Sequence, residues 1–477
     1  METPSTDARR DACAAALEPR GQSHVLKWWD ELNGAQRVQL LTDIESIPWD
    51  VVDPLIDSHV LGAPEHSVPA DLSPPEVYRR DPASQQRALY DEAERLGRNL
   101  IQAGKVAAFT VAGGQGTRLG CDGPKGTVTV TPAGGRTLFA LFAEAIKATS
   151  QRYATSIPWY IMTSPGNHAQ TVEFFQQHQF LGLPESDVTL FSQGTLPAFD
   201  FGGRMLMAQK HRLALAPDGH GGSLKALVKS GSLGDARRRG VEIISYFPVD
   251  NPLVIPIDPL FIGLHAATGS EMATKVTPKA DDLERVGNLC LQGGKPRVIE
   301  YSELPSSVAH AGNEDGSRKF DAANLAIHLI NVSLIERIIA SSFALPFRRA
   351  EKTVPYINES GLRVEPDEPN AVKLETFVFD AVTLAKNPLV LEVTRAEEFS
   401  PVKNLTGVDS LETARRDQLL RACRWLESAD VTIPRKPNGD PDVALGISAL
   451  FALDAQELRS KRDRLPALRA GDTIYIE

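Results

Sequence analysis

At 477 residues, with 42% hydrophobic and 23% charged side chains, the chain is long enough for two or three packed units rather than one core. Lys and Arg number 51 against 61 Asp and Glu, a formal net charge of −10. That balance argues against nucleic acid or an anionic membrane surface as the main partner, and any phosphate site must be built locally. The cysteines Cys13, Cys121, Cys290 and Cys423 are scattered without Cys-x-x-Cys spacing, so no zinc site or disulfide framework is expected. The N-terminus lacks an apolar signal core and no stretch approaches a membrane span, so a cytoplasmic location is expected.

Residues 1–20 read as disordered. From His24 to Ile47 apolar residues recur with helical spacing, and Asn33-Gly34 splits the run into two helices. Residues 62–84, rich in Pro and Asp, read as a linker. Another helix is predicted over Gln85–Gln102, so residues 1–100 form a helical N-terminal region. From Lys105 short apolar runs such as "KVAAFTV", "WYIMT", "VTLF" and "VEIISYF" alternate with helical stretches such as "RTLFALFAEAIKAT" and "DPLFIGLHAATG". This alternation predicts an α/β fold built on a mostly parallel, doubly wound sheet. After Met272 the pattern becomes hairpin-like, with Gly293-Gly294 as a turn. Helices are predicted at Ser333–Ser341 and near Leu374–Ala385. Residues 101–406 are expected to form one domain and 407–477 a small C-terminal module that closes with a strand in "GDTIYIE".

The most informative stretch is "VAAFTVAGGQGTRLGCDGPKGTV", Val106 to Val128. Leu119 occupies the place of the third glycine in G-x-G-x-x-G, and no acidic residue follows at the required distance, so a dinucleotide fingerprint is weak. It is not G-x-x-x-x-G-K-[ST] either. A glycine-rich loop after a buried strand still suits phosphate: glycines permit close backbone approach, and Arg118 and Lys125 supply charge.

Gly113–Gly120 followed by Pro124-Lys125-Gly126 resembles the signature of the UDP-sugar pyrophosphorylases, and more closely that of the eukaryotic-type UDP-N-acetylglucosamine pyrophosphorylases. The resemblance continues in order through "LFSQGTLPAF", "LAPDGHGG", "VDNPL", "VIEYSEL", "AANLAIH", "PNAVKLETFVFDA" and "EFSPVKN", over roughly residues 24–407. It implies a nucleotide-diphospho-sugar transferase fold of the glycosyltransferase-A type, with 101–406 as the catalytic nucleotidyltransferase domain. It also implies a Mg²⁺-dependent reaction between UTP and a sugar-1-phosphate, giving a UDP-sugar and pyrophosphate, with N-acetylglucosamine-1-phosphate as the expected acceptor.

The resemblance assigns Val111, Ala112, Gly113 and Gly114 to the uracil and ribose of UTP, and Arg118 and Lys125 to its phosphates. Gln193 and Gly219 are expected against the uracil, and Asp250 near the metal and phosphates. Glu300, Tyr301 and Asn324 are expected at the sugar, whose hydroxyls suit carboxylate and amide partners. Lys373 is assigned to the UTP side and Lys403 to the sugar-phosphate side. Simpler readings compete. Arg118 also suits a helix-start salt bridge, Asp250 a turn before Asn251-Pro252, and Arg348-Arg349 a solvated charge run.

His220 stands where the N-acetylglucosamine enzymes carry Asn, and Gly-His-Gly resembles the UDP-glucose pyrophosphorylases. Cys121-Asp122-Gly123 leans the same way, and Ala323 replaces a glycine before Asn324. Glucose-1-phosphate, or a broad range of hexose phosphates, is therefore the alternative acceptor, and a non-catalytic UDP-sugar binder the alternative of another class. Oligomeric state is not legible.

Overall fold

The computed structural model describes residues 5–62, 71–341 and 345–477. Its central element is an eleven-stranded sheet. The principal strands are β1 (Tyr78–Arg79), β2 (Val106–Val111), β3 (Trp159–Thr163), β4 (Val188–Ser192), β5 (Ile243–Pro248), β6 (Met272–Pro278), β7 (Ala322–Asn331) and β8 (Leu389–Glu392), ordered β1-β8-β6-β7-β5-β2-β3-β4. β7 pairs antiparallel with both β5 and β6, while the other neighbours along this path run parallel. β3 is buried throughout and β2 over its first five residues, as expected of parallel strands covered on both faces. Phe139, Phe142, Trp159, Phe175 and Phe247 fill the core around them.

The chain forms two compact units. Unit 1 comprises Met1–Ser67, Gln193–Ser223 and Leu345–Val378; unit 2 comprises Val68–Ser192, Leu224–Ala344 and Phe379–Glu477. Each unit is assembled from three separate segments, so a linear division at residues 100 and 406 does not follow them. Within unit 2 the C-terminal module has its own core of Ala422, Leu426, Leu445, Phe451, Leu458 and Ile476. Its helix Leu411–Ser428 packs with a parallel strand pair, Ala444–Ile447 and the expected terminal strand Thr473–Ile476.

Several local expectations need correction. Residues 1–20 contain a helix, Thr6–Leu17, capped by the Ser5 side chain accepting from the Ala8 N–H at 3.2 Å. Cys13 and Leu17 are buried with Leu40, Leu41 and Ile44, and Arg9 pairs with Glu45 at 2.7 Å, so tertiary packing orders a segment whose composition looks solvated. Between His24 and Leu32 there are 3₁₀ turns rather than a helix; the α-helix Gly34–Glu45 starts from a capping box at Asn33 and Gln36. Of the proposed linker, residues 63–70 lie outside the described residues. Residues 371–376 form a strand, paired with Phe347–Lys352, before a 3₁₀ segment Val378–Leu384, so the helix near Leu374–Ala385 is incorrect. The Gly293-Gly294 turn is present, with φ of 54° and 76° joining Asn288–Gln292 to Lys295–Ile299. No helix among the described residues is long and apolar enough to cross a membrane.

Candidate functional site

In unit 2 the register of β2 on β5 pairs Val111 with Pro248, and the Val249 N–H donates to the Val111 carbonyl at 3.1 Å. The glycine loop and Asp250 therefore leave the sheet side by side at its C-terminal edge, the edge where ligands bind in such folds. The loop is folded back on itself: Lys125 N–H donates to Gly114 (3.1 Å) and Gly116 N–H to Gly123 (2.7 Å). Asn167 Nδ2 donates to the carbonyls of Ala112 (2.9 Å) and Gly114 (3.1 Å), tying the loop to the segment after β3. Nothing local marks Asn167 apart from the spacing Ser164-x-x-Asn167 directly after an apolar strand.

Lys125 lies over Gly114, its Cε 3.6 Å from where a Cβ on that residue would sit, and its Nζ is 3.9 Å from Asp250 Oδ2. Both side chains are mostly buried, at 17% and 23% exposure, which strengthens their interaction relative to a surface pair. Arg118 is exposed on the 3₁₀ turn Thr117–Leu119 of the same loop. Gly126 makes the lysine's placement possible, because a Cβ there would fall 2.1 Å from the Phe139 ring. Gly126→Ala is expected to lower stability by about 1–3 kcal/mol, read as a lower Tm.

Lys403 is joined to the same edge through its neighbour, as the Val402 N–H donates to the Asp250 carbonyl at 2.8 Å. The Lys403 ammonium pairs with Asp409 Oδ2 at 3.0 Å. The sugar candidates stand further along the sheet. Register pairs Val276 near the end of β6 with Asn324 near the start of antiparallel β7, which places Asn324 towards the same C-terminal edge. Its N–H donates to Gly287 at 2.8 Å, and a Cβ on Gly287 would lie 3.2 Å from Glu300 Oε1, so Gly287 brings Asn324 and Glu300 together. Tyr301 follows, 48% exposed.

Unit 1 carries the remaining candidates. Gln193 Nε2 donates to Asp218 Oδ1 (2.9 Å) and to the Gly219 carbonyl (2.6 Å). The loop 218–221 is stitched to the end of strand Ala371–Thr376: Gly221 N–H donates to Thr376 (2.8 Å) and Thr376 N–H to Asp218 (2.9 Å). Lys373 lies on that strand, opposite Ala350. His220 Nδ1 accepts from the Val378 N–H at 3.2 Å, and its ring packs 5.0 Å from Phe377. Arg348 stacks over Phe377 at 5.0 Å, while Arg349 donates to the carbonyls of His59 and Val60, so the pair is not a solvated charge run.

Burial, and secondarily Arg348, pushes the His220 imidazole down to about 4. The neutral ring is the form the fold favours, so its stabilisation is fully present above the ordinary histidine pKa of about 6.5 and is lost as pH falls from there through 4. His220→Asn should remove up to about 1.4 kcal/mol per pH unit of slope from unfolding free energies measured between pH 6.5 and 4.

The profile of a family described as UTP--glucose-1-phosphate uridylyltransferase matches residues 72–429. The chain is 37% identical to the human UDP-N-acetylhexosamine pyrophosphorylase-like protein 1, covering 93% of both chains. It is 36% identical to the UDP-N-acetylglucosamine pyrophosphorylase of Saccharomyces cerevisiae, covering 87% of this chain and 90% of that one. The solved structure of the Trypanosoma brucei uridine diphosphate N-acetylglucosamine pyrophosphorylase, in complex with an inhibitor, superposes with a TM-score of 0.82 at 25% identity, covering 100% of this chain and 99% of that one. With three quarters of its length inside that profile, and the glycine loop, Asp250 and Lys403 all within the matched residues, the chain belongs to the UTP--glucose-1-phosphate uridylyltransferase family.

Proposed function

We propose that the protein is a uridylyltransferase that joins UTP and N-acetylglucosamine-1-phosphate to give UDP-N-acetylglucosamine and pyrophosphate, acting in the cytoplasm. The observation that carries this is the Lys125–Asp250 pair, 3.9 Å apart where β2 and β5 end together beneath a glycine-rich loop. In the reaction an oxygen of the sugar phosphate forms a bond to the α-phosphorus of UTP. The α–β bridging bond breaks and its electron pair leaves on pyrophosphate. Two anions must meet, so the chain's task is positioning and electrostatic stabilisation, with no covalent enzyme intermediate.

Lys125 and Arg118 would neutralise the triphosphate and Lys403 the sugar phosphate, with Lys373 on the UTP side. On unit 2, Val111–Gly114 would meet the nucleoside, and Glu300, Tyr301 and Asn324 the sugar; on unit 1, Gln193 and Gly219 would contact the uracil, and His220 would bear on the choice of sugar. Among the described residues no group of three or more His, Cys, Asp or Glu forms a ready-made metal site. Asp250 fits Mg²⁺ nonetheless, because that ion commonly takes one or two carboxylates and completes its shell with phosphate oxygens and water. Bound there, it would supply charge neutralisation at the phosphates.

The test is pyrophosphate release from UTP and Mg²⁺ with N-acetylglucosamine-1-phosphate compared with glucose-1-phosphate. Faster release with the first supports the proposal. Reaction with glucose-1-phosphate alone supports the second reading, which the family's description and His220 favour. UDP-sugar binding without pyrophosphate release or exchange would overturn both.

A further inference from the structure

Lys275 stands on β6 with its side chain at 0% exposure, where the register between β6 and β7 slips between Thr274 and Val276. Its ammonium donates to Asp258 Oδ2 at 2.7 Å and to Glu398 Oε2. Arg80 reaches the same two carboxylates, Asp258 directly and Glu398 Oε1 at 3.5 Å. Two cations and two carboxylates thus share one cluster, in which Lys275, Asp258 and Glu398 are buried and Arg80 is 34% exposed. Asp258 also caps the helix Pro259–Ala267 through Oδ1, accepting from Leu260 at 3.2 Å and Phe261 at 3.4 Å. Glu398 has no such local role.

What Glu398 does have is a main chain tied to the candidate site. Its carbonyl accepts from Asn251 Nδ2 at 2.7 Å, and Asn251 Oδ1 accepts the Ser400 N–H at 3.1 Å. Two residues on, Val402 donates to the Asp250 carbonyl at 2.8 Å, and the next residue is Lys403. Anchoring the Glu398 carboxylate therefore fixes where the chain starts its path to Lys403. A buried charge cluster is a poor source of stability, since desolvation offsets most of the Coulomb attraction and apolar replacements are often as stable. Placement of the chain is the better account of these charges.

We propose that Lys275 is a positioning residue for Lys403: with Arg80 it clamps Glu398, and Glu398 sets the segment 398–403 against Asp250-Asn251. This rests on the uridylyltransferase reading for its kinetic consequence, but not for its structural one. Lys275→Met alone leaves an uncompensated buried carboxylate and is prone to unfold. The double variant Lys275→Met/Glu398→Gln removes one charge of each sign and leaves the Arg80–Asp258 pair, so it keeps the cluster neutral.

The experiment measures kcat/KM for the sugar-1-phosphate in the full chain, in a cycle that combines this double variant with Lys403→Ala, beside hydrogen–deuterium exchange over 398–404. The expected result is a loss of about 10-fold or more when Lys403 is present and less than about twofold when it is alanine, the non-additivity of residues acting as one unit. The Ser400 and Val402 amides should exchange at least 10-fold faster in the double variant, with Tm held within a few degrees. Equal losses in both backgrounds, or unchanged exchange, would overturn the proposal. If the parent releases no pyrophosphate with any sugar-1-phosphate, the function reading fails, and amide exchange alone decides the positioning role.

Discussion

Lys125→Ala is expected to lower turnover by about 10²–10³-fold, the usual cost of removing one preorganised group that meets developing transition-state charge. The side chain is held in advance. Its backbone N–H is bonded to Gly114, Gly126 behind it admits the Phe139 ring, and the ammonium faces Asp250 at 3.9 Å. Little reorganisation is then needed when negative charge moves from the α-phosphate to the leaving pyrophosphate. Alanine shortens the side chain without disturbing the loop's backbone bonds, so Tm should change by no more than a few degrees. Steady-state pyrophosphate release separates the outcomes: kcat should fall more than KM for UTP rises, because the interaction strengthens as the bond breaks. A change confined to KM would make Lys125 a ground-state phosphate contact only. Lys125→Arg should recover part of the rate at best, since a planar guanidinium fixes its donors in one plane and does not reproduce the lysine's compact point charge.

The features that can be read from sequence are those whose geometry is local. The glycine loop, with Lys125 inside it, and Asp250 each come after a short apolar run, and a strand that ends in glycines or Asp already states where the chain turns at the sheet's edge. The parallel α/β pattern is legible for the same reason, because strand and helix periods differ over windows of a few residues. Long-range partners are not legible in this way. Asn167 matters because it lies 53 residues from Gly114 yet donates to its carbonyl. Lys275 and Glu398 are 123 residues apart, and nothing in either's neighbours announces a buried pair.

The same limit explains the misread segments. The run "AVKLETFVFDAV" carries apolar residues at spacings that suit either a strand or a helix. Pairing with Phe347–Lys352 decides for the strand. The helix Thr6–Leu17 owes its order to contacts with Leu41 and Ile44, which its own polar composition does not reveal. The division into two units is hidden for a further reason: among its crossings between them, the chain passes over after Ser192, Ser223 and Val378, and all three points lie in or beside resemblance blocks whose spacing looks continuous.

Gly219→Ala is expected to weaken UTP binding by about 100-fold, a loss of about 2.7 kcal/mol. Two effects add. The residue sits at φ +80°, where an L side chain costs about 1–2 kcal/mol. In addition, its Cβ would fall 2.3 Å from the Thr376 carbonyl oxygen and 2.6 Å from the Thr376 nitrogen, both of them backbone atoms with little freedom to move. The loop 218–221 can relieve that clash only by separating from the strand end. That breaks the bonds from Gly221 to Thr376 and from Thr376 to Asp218, and it loosens Gln193, which donates to the Gly219 carbonyl at 2.6 Å. The comparison that isolates the clash is Gly231→Ala: Gly231 has φ +79° but no atom within 4 Å of its would-be Cβ. Gly231→Ala should lower Tm slightly and leave UTP affinity unchanged, whereas Gly219→Ala should lower both. Titration calorimetry with UTP reads the difference directly. Equal UTP affinity in the two variants would show that the loop's packing on strand Ala371–Thr376 is dispensable for nucleotide binding.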